Sequence, residues 1–424
     1  MIVMKKMKEL PYHIGLKVKI YPSNQQKHII AVNDGAKRAV YNHLVACGNE
    51  KYRLSKTAEC VPVYRDRLDY LSSVTGDVKN IKNALPYLWG EDVDEQAIAN
   101  ARQNYYTAWK NRKELHRGVP VFKKKSNEQS YQTNAHYYAK DTKDGRNSNV
   151  WFLDRLHVTL PKLGRIRIGG SRREIKEVIR RQERRDIRIG TITIHRDAVG
   201  EYWASFQIAS ETPFRKTLPQ TGSNLGIDLN LLELVVDSNG DILENPRFLI
   251  QSKDKLAKEQ RKLSRMAERA KKEGRKLSDC KNYQKQRKKA AYLNRKVARQ
   301  REDYLHAYSR HEIENQDLIV AEDLKAGNLK RNHKLARAVS DAGWRKLLTM
   351  LQYKAELYGK IVILVPPKNT TQPCSHCGHI MSGDEKLTLD IREWDCPSCG
   401  TRHLRDVNAA INILNRGLKA VSQS

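Results

Sequence analysis

Near the C-terminal end of the chain two Cys-x-x-Cys pairs, Cys374/Cys377 and Cys396/Cys399, stand with eighteen residues between them, and Arg405-Asp406-Val407-Asn408-Ala409-Ala410 follows at once. This spacing constrains the fold more than any other feature, because two tight knuckles each offering two sulfurs suit one tetrahedral ion. Pro373, Gly378, Pro397 and Gly400 are the turn residues such knuckles need. Two disulfides, or four unrelated buried thiols, are the competing readings; a single Zn2+ held by Cys374, Cys377, Cys396 and Cys399 fits the spacing better. Four thiolates leave no open coordination position, so this zinc is expected to be structural.

The body around the cysteines is very basic. Lys and Arg number 79 against 48 Asp and Glu, a formal charge of +31 over 424 residues. Such an excess points to a nucleic-acid backbone as partner. A membrane is the rival partner, but no apolar run approaches the roughly 18 residues that a span requires. Residues 1–19 also lack the continuous apolar core of a signal peptide. Cys47, Cys60 and Cys280 lie scattered, a usage that fits a reducing cytosol, so a cytoplasmic protein is expected.

Two regimes follow one another along the chain. Residues 13–21 alternate apolar and basic, as a half-buried strand does. Pro22-Ser23 then opens a helix over 25–47, and Val93, Ala97, Ala101, Tyr105 and Trp109 mark another over 91–115, with Asp94 as its cap. A basic loop, Phe122-Lys123-Lys124-Lys125, precedes Gln129 and Tyr131, and short strands return over 150–168 and 187–209. From Gly222 a strand pair, a helical stretch over 251–305 broken near Gly274, a strand at 318–324, a helix to Tyr358, a strand at 360–365 and a last helix from Asp406 to Lys419 are expected. Residues 251–300 alone hold 19 Lys and Arg against 5 Asp and Glu. A solvated helix normally mixes its signs, and a face so nearly one-signed favours phosphate contact.

Three acids occupy telling places in this second half. Asp228 reads as lying inside an apolar strand, Glu322 as ending one, and Asp406 as opening the final helix. Each has an ordinary alternative: a satisfied core carboxylate, a solvated strand end, a helix cap. An acid within an apolar strand is costly unless paired or metal-bound, so Asp228 demands a partner. A hairpin, a strand and a helix each bearing an acid make an RNase H-like arrangement, in which carboxylates hold two Mg2+ ions roughly 4 Å apart and hydrolyse a phosphodiester.

With these residues in view, the chain resembles the TnpB family of transposon-encoded RNA-guided DNA endonucleases, relatives of compact type V CRISPR effectors. Gly226-Ile-Asp228-Leu, Ile319-Val-Ala-Glu322-Asp-Leu, Asp341-Ala-Gly-Trp344, the two knuckles and Asp406-Val-Asn408-Ala-Ala-Ile-Asn412 carry the likeness over residues 222–424. Lys19-Ile-Tyr-Pro22, Ala39-Val-Tyr-Asn42, Pro120-x-Phe122-Lys123-Lys124-Lys125 and Leu160-Pro161-Lys-Leu-Gly164 carry it more loosely in the first half. Two departures stand out: Leu404 where many members have an acid, and Asn230 where glycine is common.

The resemblance implies an α+β multi-domain protein. An N-terminal wedge β-barrel (1–30 and 116–221) would carry a helical recognition insertion (31–115). An RNase H-like RuvC domain (222–367 and 404–424, with a basic helical insertion at 249–306) would carry an inserted zinc ribbon (368–403). It implies that Asp228, Glu322 and Asp406 bind two Mg2+ ions and form one nuclease site, beside one structural Zn2+ on the cysteines. Guide RNA and double-stranded target DNA would be the partners of a monomeric ribonucleoprotein, the basic helices holding RNA through residues such as Lys285, Arg287, Lys288 and Lys289. Lys123, Lys124, Lys125, Gln129 and Tyr131 are expected at the nucleic acid, the last two near a short adjacent motif on the target. The alternatives are an RNA-guided DNA-binding protein without cleavage, a compact CRISPR-associated effector of the same fold, a zinc-ribbon binding factor, and a transposase that joins DNA ends.

Overall fold

The computed structural model describes residues 5–55, 62–324, 342–388 and 390–423. Cys60 and Asp341, both named above, lie outside the described residues. The chain divides into two compact units, Met1–Phe214 and Arg215–Ser424.

The first unit is built on strands β1 (Tyr12–Tyr21), β2 (Gln129–Asn134), β3 (Trp151–Asp154), β4 (His157–Leu160), β5 (Gly164–Gly169), β6 (Ile187–Arg196) and β7 (Tyr202–Ser210). They pair in the order β2-β6-β7-β1-β5-β4-β3, antiparallel throughout. The alternation legible in β1 sends Leu16, Val18 and Ile20 inward and leaves Lys17 exposed. The pairings among the described residues leave β2 and β3 at the two ends of this order. Helix α5 (Arg172–Glu183) covers the β3 edge: Gln182 accepts from the Phe152 amide at 3.0 Å and donates to its carbonyl at 3.1 Å. Helices α1 (Asn24–Ser55), α2 (Pro62–Gly76), α3 (Val78–Ala84) and α4 (Glu95–Leu115) form the helical part. Val40, Leu44, Ile81, Leu88, Ile98 and Ala101 make its own core, and Asp94 caps α4 as expected, accepting from the Gln96 amide at 2.9 Å.

The second unit is a five-stranded mixed sheet of β8 (Asn224–Asp228), β9 (Glu233–Asp237), β10 (Ile242–Glu244), β11 (Leu318–Glu322) and β12 (Ile361–Val365), in the order β10-β9-β8-β11-β12. β8, β11 and β12 run parallel, while β9 and β10 fold back antiparallel. After the short α6 (Phe248–Gln251), the basic stretch forms α7 (Lys253–Lys272) and α8 (Lys281–Asn315), broken at Gly274 as its sequence suggests. Helix α9 (Trp344–Tyr358) joins α8 on one face of the sheet, where Ile227, Ile319 and Ala321 meet Leu305, Ile313, Trp344, Leu347 and Leu351. The last helix, α10 (Arg405–Ser422), covers the other face, where Leu318, Val320 and Val365 meet Ile413. Burial on both sides explains why β11 reads as an unbroken apolar run.

Asp317 fastens the N-terminal ends of the parallel strands. Its carboxylate accepts from the Thr221 and Gly222 amides at 2.9 Å and 2.7 Å, and from Lys360 Nζ at 2.5 Å, just ahead of β8 and β12. The hydrogen bond from Lys360 is the main reason the carboxyl is held down to about 2, with the backbone amides adding to it against the opposing effect of burial. The folded value lies below the unfolded one, so this stabilisation is present above pH about 4 and is lost as pH falls toward about 2. Asp317→Asn is therefore expected to lower the melting temperature at neutral pH and to flatten acid unfolding across that window. Parallel acid-melting curves for the two proteins check this.

Candidate functional site

Period-two alternation decides where the acids face. In β8, Ile227 packs on the α8–α9 side, so Gly226 and Asp228 look toward α10; in β11, Ile319 and Ala321 pack on the first side, so Val320 and Glu322 look toward α10. The parallel register sets Ile227 beside Ala321, and each is followed at once by its acid. Two carboxylates thus end neighbouring parallel strands, the end at which open α/β sheets place their sites. Asp228 is the last residue of β8, at the strand's end and half-buried, where the sequence reading put it inside the strand.

The third acid comes from α10. The helix can lie against the sheet only because two residues have no side chain: a Cβ on Gly226 would stand 2.1 Å from the Ala410 carbonyl oxygen, and one on Gly417 would stand 2.2 Å from Val320 Cγ2. This close approach brings Asp406, in the first turn of α10, to the acid-bearing strand ends. Burial chiefly, then the neighbouring Glu322 and Asp406 carboxylates, push Asp228 up to about 8 against the opposing pull of Arg405. Glu322 is also raised, by burial, although Thr370 Oγ1 donates to it at 2.6 Å and Arg416 lies near. Asp406 is held by Arg392 at 2.9 Å and by Arg405 at 3.0 Å, and Asn230 Nδ2 reaches it at 3.4 Å. The same Asn230 accepts from the Leu232 and Glu233 amides at 3.0 Å and 2.9 Å, so the departure from glycine caps the hairpin turn.

The four cysteines lie together as their spacing required. Among the described residues they form a group of potential metal ligands whose atoms all lie within 4.8 Å of one another. Cys374 and Cys399 sulfurs stand 3.8 Å apart and Cys377 and Cys396 sulfurs 3.7 Å apart. Ligands on a tetrahedral zinc at about 2.3 Å stand about 3.8 Å from one another, whereas a disulfide needs about 2.05 Å. The knuckles repeat one design: the Gly378 amide donates to Cys374 O at 2.9 Å and the Gly400 amide to Cys396 O at 2.8 Å, both glycines at positive φ. β13 (Glu393–Asp395) pairs with β14 (Arg402–Leu404) beside them, and Met381, Leu387 and Trp394 give the module a small core. Leu404 is exposed and plays no part in the acid site.

One face of α10 ties the two centres together. Asn408 donates to Pro373 O at 2.9 Å and accepts from the Ser375 amide at 2.8 Å. Asn412 donates to Pro373 O at 2.7 Å and Thr370 O at 3.0 Å, and Arg416 donates to Lys368 O at 2.7 Å. Residues 408, 412 and 416 are spaced by four, a signal available in the sequence that pointed to this lashing. Thr370, Arg392 and Arg405 carried no such signal.

Other expected contacts divide. Lys285 and Lys288 are exposed on α8, Arg287 is half-buried, and Lys289 lies 3.7 Å from Glu259. Lys123, Lys124 and Lys125 are exposed and Gln129 is half-buried. Tyr131 is fully buried in the sheet, so the expected stacking on nucleic acid is corrected: its inward position on β2 makes it core.

Comparison with known proteins places this architecture. It covers 96% of the chain and 99% of a solved Cas12f1 chain, from the cryo-EM structure of a Cas12f1-sgRNA-target DNA complex, at a TM-score of 0.50 and 13% identity. The fold is thus the α+β fold of a compact Cas12 effector with a four-cysteine cluster. Three family models match in order along the sequence: a helix-turn-helix domain of the IS605 OrfB type over residues 12–57, an IS605 OrfB probable transposase over 205–333, and a Cas12f1-like TNB domain over 344–413. The chain therefore carries domains of the TnpB/IS605 OrfB type. The described part of 12–57 folds here as β1 and the single long helix α1. A Streptomyces pristinaespiralis protein named "Putative RNA-guided DNA endonuclease" is 36% identical over 54% of this chain, a match spanning about half of that relative's length, 53%. InsQ of Escherichia coli K12, similarly named, is 28% identical over 95% of this chain and 92% of its own. No described helix is long and apolar enough to cross a membrane.

Two outcomes follow from this geometry. Gly226→Ala should push α10 off β8 and destabilise the protein by about 1–3 kcal/mol, the usual cost of overpacking; an unchanged thermal midpoint would show that the helix does not rest there. Cys396→Ser should release bound zinc and loosen residues around the knuckles, read as reduced metal stoichiometry and faster proteolysis within 370–403.

Proposed function

We propose that this chain is an RNA-guided DNA endonuclease that cuts double-stranded DNA beside a short adjacent motif at one RuvC-like site. The observation that carries the reading is the convergence of Asp228, Glu322 and Asp406, with Asp228 pushed up to about 8 by burial and its two acidic neighbours. Like charges gathered at the end of a buried sheet call for a cation. The set is all carboxylate oxygen, which suits a hard ion such as Mg2+ and not a thiophilic one.

In this reading Asp228, Glu322 and Asp406 hold two Mg2+ ions, whose chemistry there is to activate a water and to stabilise the oxygen leaving a phosphodiester. Thr370 fixes the orientation of the Glu322 carboxylate, and Arg405 and Arg392 hold Asp406 in place. The thiol cluster holds one Zn2+ as a structural brace. The basic surface of α7 and α8, with Lys285, Arg287, Lys288 and Lys289, holds guide RNA, whose base pairing supplies sequence specificity. The names carried by the relatives support the same assignment. The hold of Arg392 and Arg405 on Asp406 favours one second reading, a guided DNA-binding protein that does not cut.

Asp228→Ala separates the two. RNA retention and binding of matched DNA should persist, while cleavage of both strands with Mg2+ falls to background; Glu322→Ala and Asp406→Ala should do the same, because ligands acting as a unit are not additive. Double-strand cleavage that survives in Asp228→Ala, with contaminating nuclease excluded, would rule out this site.

A further inference from the structure

The first unit holds a second charged site, unrelated to the carboxylates. It is a cleft of about 360 Å3 on α1, β2 and the 123–128 loop, lined by Asp34, Lys37, Arg38, Lys123, Lys124 and Ser126, with Ser130, Glu128 and His195 completing it. Buried Asp34 organises its cations. One carboxylate oxygen accepts from Arg38 Nη1 at 2.9 Å, while the other accepts from the Ser130 amide at 3.0 Å and lies 3.5 Å from Lys37 Nζ. Lys37 also donates to the Ser130 carbonyl, so both head groups are fixed in place.

Lys123 is fixed by different means. Its amide donates to Asn42 Oδ1 at 2.7 Å, its carbonyl accepts from Asn42 Nδ2 at 3.0 Å, and its ammonium sits 3.7 Å from the centre of the Tyr41 ring. Burial, then the nearby Lys37, hold that ammonium below the ordinary lysine range. Lys124 is exposed and has no ion-pair partner among the described residues. Four cations therefore face two acids, Asp34 and Glu128, of which Asp34 already serves as internal counter-charge. A solvated charged surface would not hold its like charges on fixed backbone and buried carboxylate anchors. Preorganised cations gathered beside the Ser130 hydroxyl make an anion site.

We propose that this cleft seats a phosphodiester of a nucleic-acid backbone, gripped by Lys37, Arg38, Lys123 and Lys124. The inference rests on the nucleic-acid reading given above and extends it to a defined phosphate position outside the basic helices. Lys37 and Arg38 were silent in the sequence, where they are two charges in a long helix. Lys125, one residue beyond Lys124, does not line the cleft.

The test measures binding without cleavage. Full-length zinc-loaded protein, with no Mg2+ added, is titrated with salt against a labelled DNA duplex and, separately, against a labelled single-stranded RNA, with fluorescence anisotropy as the readout. Lys124→Gln and the double change Lys37→Gln/Arg38→Gln should each lower the log–log salt slope on at least one probe, by about one for each phosphate that is no longer neutralised. The probe affected identifies the source of the phosphate. Lys124→Arg should keep the slope, and Lys124→Gln, fully on the surface, should keep the melting temperature and so guards against misfolding of the double variant. Unchanged slopes on both probes overturn the proposal. So does an equal fall with Lys125→Gln, since that would show bulk charge alone. Because no cutting is required, failure of the catalytic reading leaves this result standing, and the reverse holds as well.

Discussion

The second unit depends on how closely one helix approaches one sheet. An ordinary helix rests on the side chains of the strands it covers. Here the Ala410 carbonyl and the backbone of Leu414 occupy the space where a side chain at position 226 would lie, and Val320 fills that of position 417. Ala409 and Ala410 are small and buried at this contact, while Ile413 supplies the apolar anchor. Small residues on both partners thus set the height of α10 above β8 and β11. That height in turn sets the distance from Asp406 to the two strand-end acids. A longer side chain at 226 would damage the site without touching any carboxylate.

The thiol cluster belongs to the same construction. The segment between β12 and the first knuckle passes along α10, and Asn408, Asn412 and Arg416 take its carbonyls in turn, from Pro373 back to Lys368. Thr370 lies on this segment, its carbonyl held by Asn412 and its hydroxyl by Glu322. From the other side, Arg392, one residue before β13, reaches Asp406, and the Arg405 amide donates to the Arg392 carbonyl at 2.8 Å. A brace at the four sulfurs therefore fixes a hydrogen-bond donor to one acid and an ion-pair partner to another. On the proposed reading, a structural metal at the sulfurs would thus hold the partners of the acids in position without doing chemistry itself.

Much of this was legible in the residues. The cysteine spacing located the cluster, the apolar runs located β8, β11 and β12, and Asp406-x-Asn408-Ala-Ala-x-Asn412 announced a helix with a special face. Each of these is a local or periodic signal. The misreadings came where local pattern is silent. Nothing local told the side of β2 on which Tyr131 lies, because Gln129-Ser-Tyr131-Gln-Thr-Asn alternates too weakly to declare an inward face. Whether the first sheet closes depends on pairings between strands far apart in sequence and not on a local signal. Arg392 and Thr370 reach the acids through loops, where long-range geometry and not periodicity decides what meets.

Electrostatics explains why the acids and most of the cations are kept on separate elements. Asp228 lies between two other carboxylates and is driven toward its neutral form, although Arg405 opposes this. On the proposed reading, a divalent cation there would relieve this repulsion. If lysines from α7 and α8 reached the strand ends, they would neutralise the acids and remove the demand for metal. Instead those helices keep a large excess of basic residues, and their buried positions include the apolar or small Leu256, Ala270, Ala290 and Val297 as well as the acids Glu259 and Glu312. The cations that do approach the acids are arginines from the ribbon side and from α10. Arg392 and Arg405 pair with Asp406, while Arg416 acts on Glu322 with its own guanidinium already donating to the carbonyls of Pro366 and Lys368. Two fixed guanidinium groups thus balance one carboxylate. Asp228 has no such partner at hydrogen-bond distance among the described residues, and burial first, then its acidic neighbours, raise it to about 8.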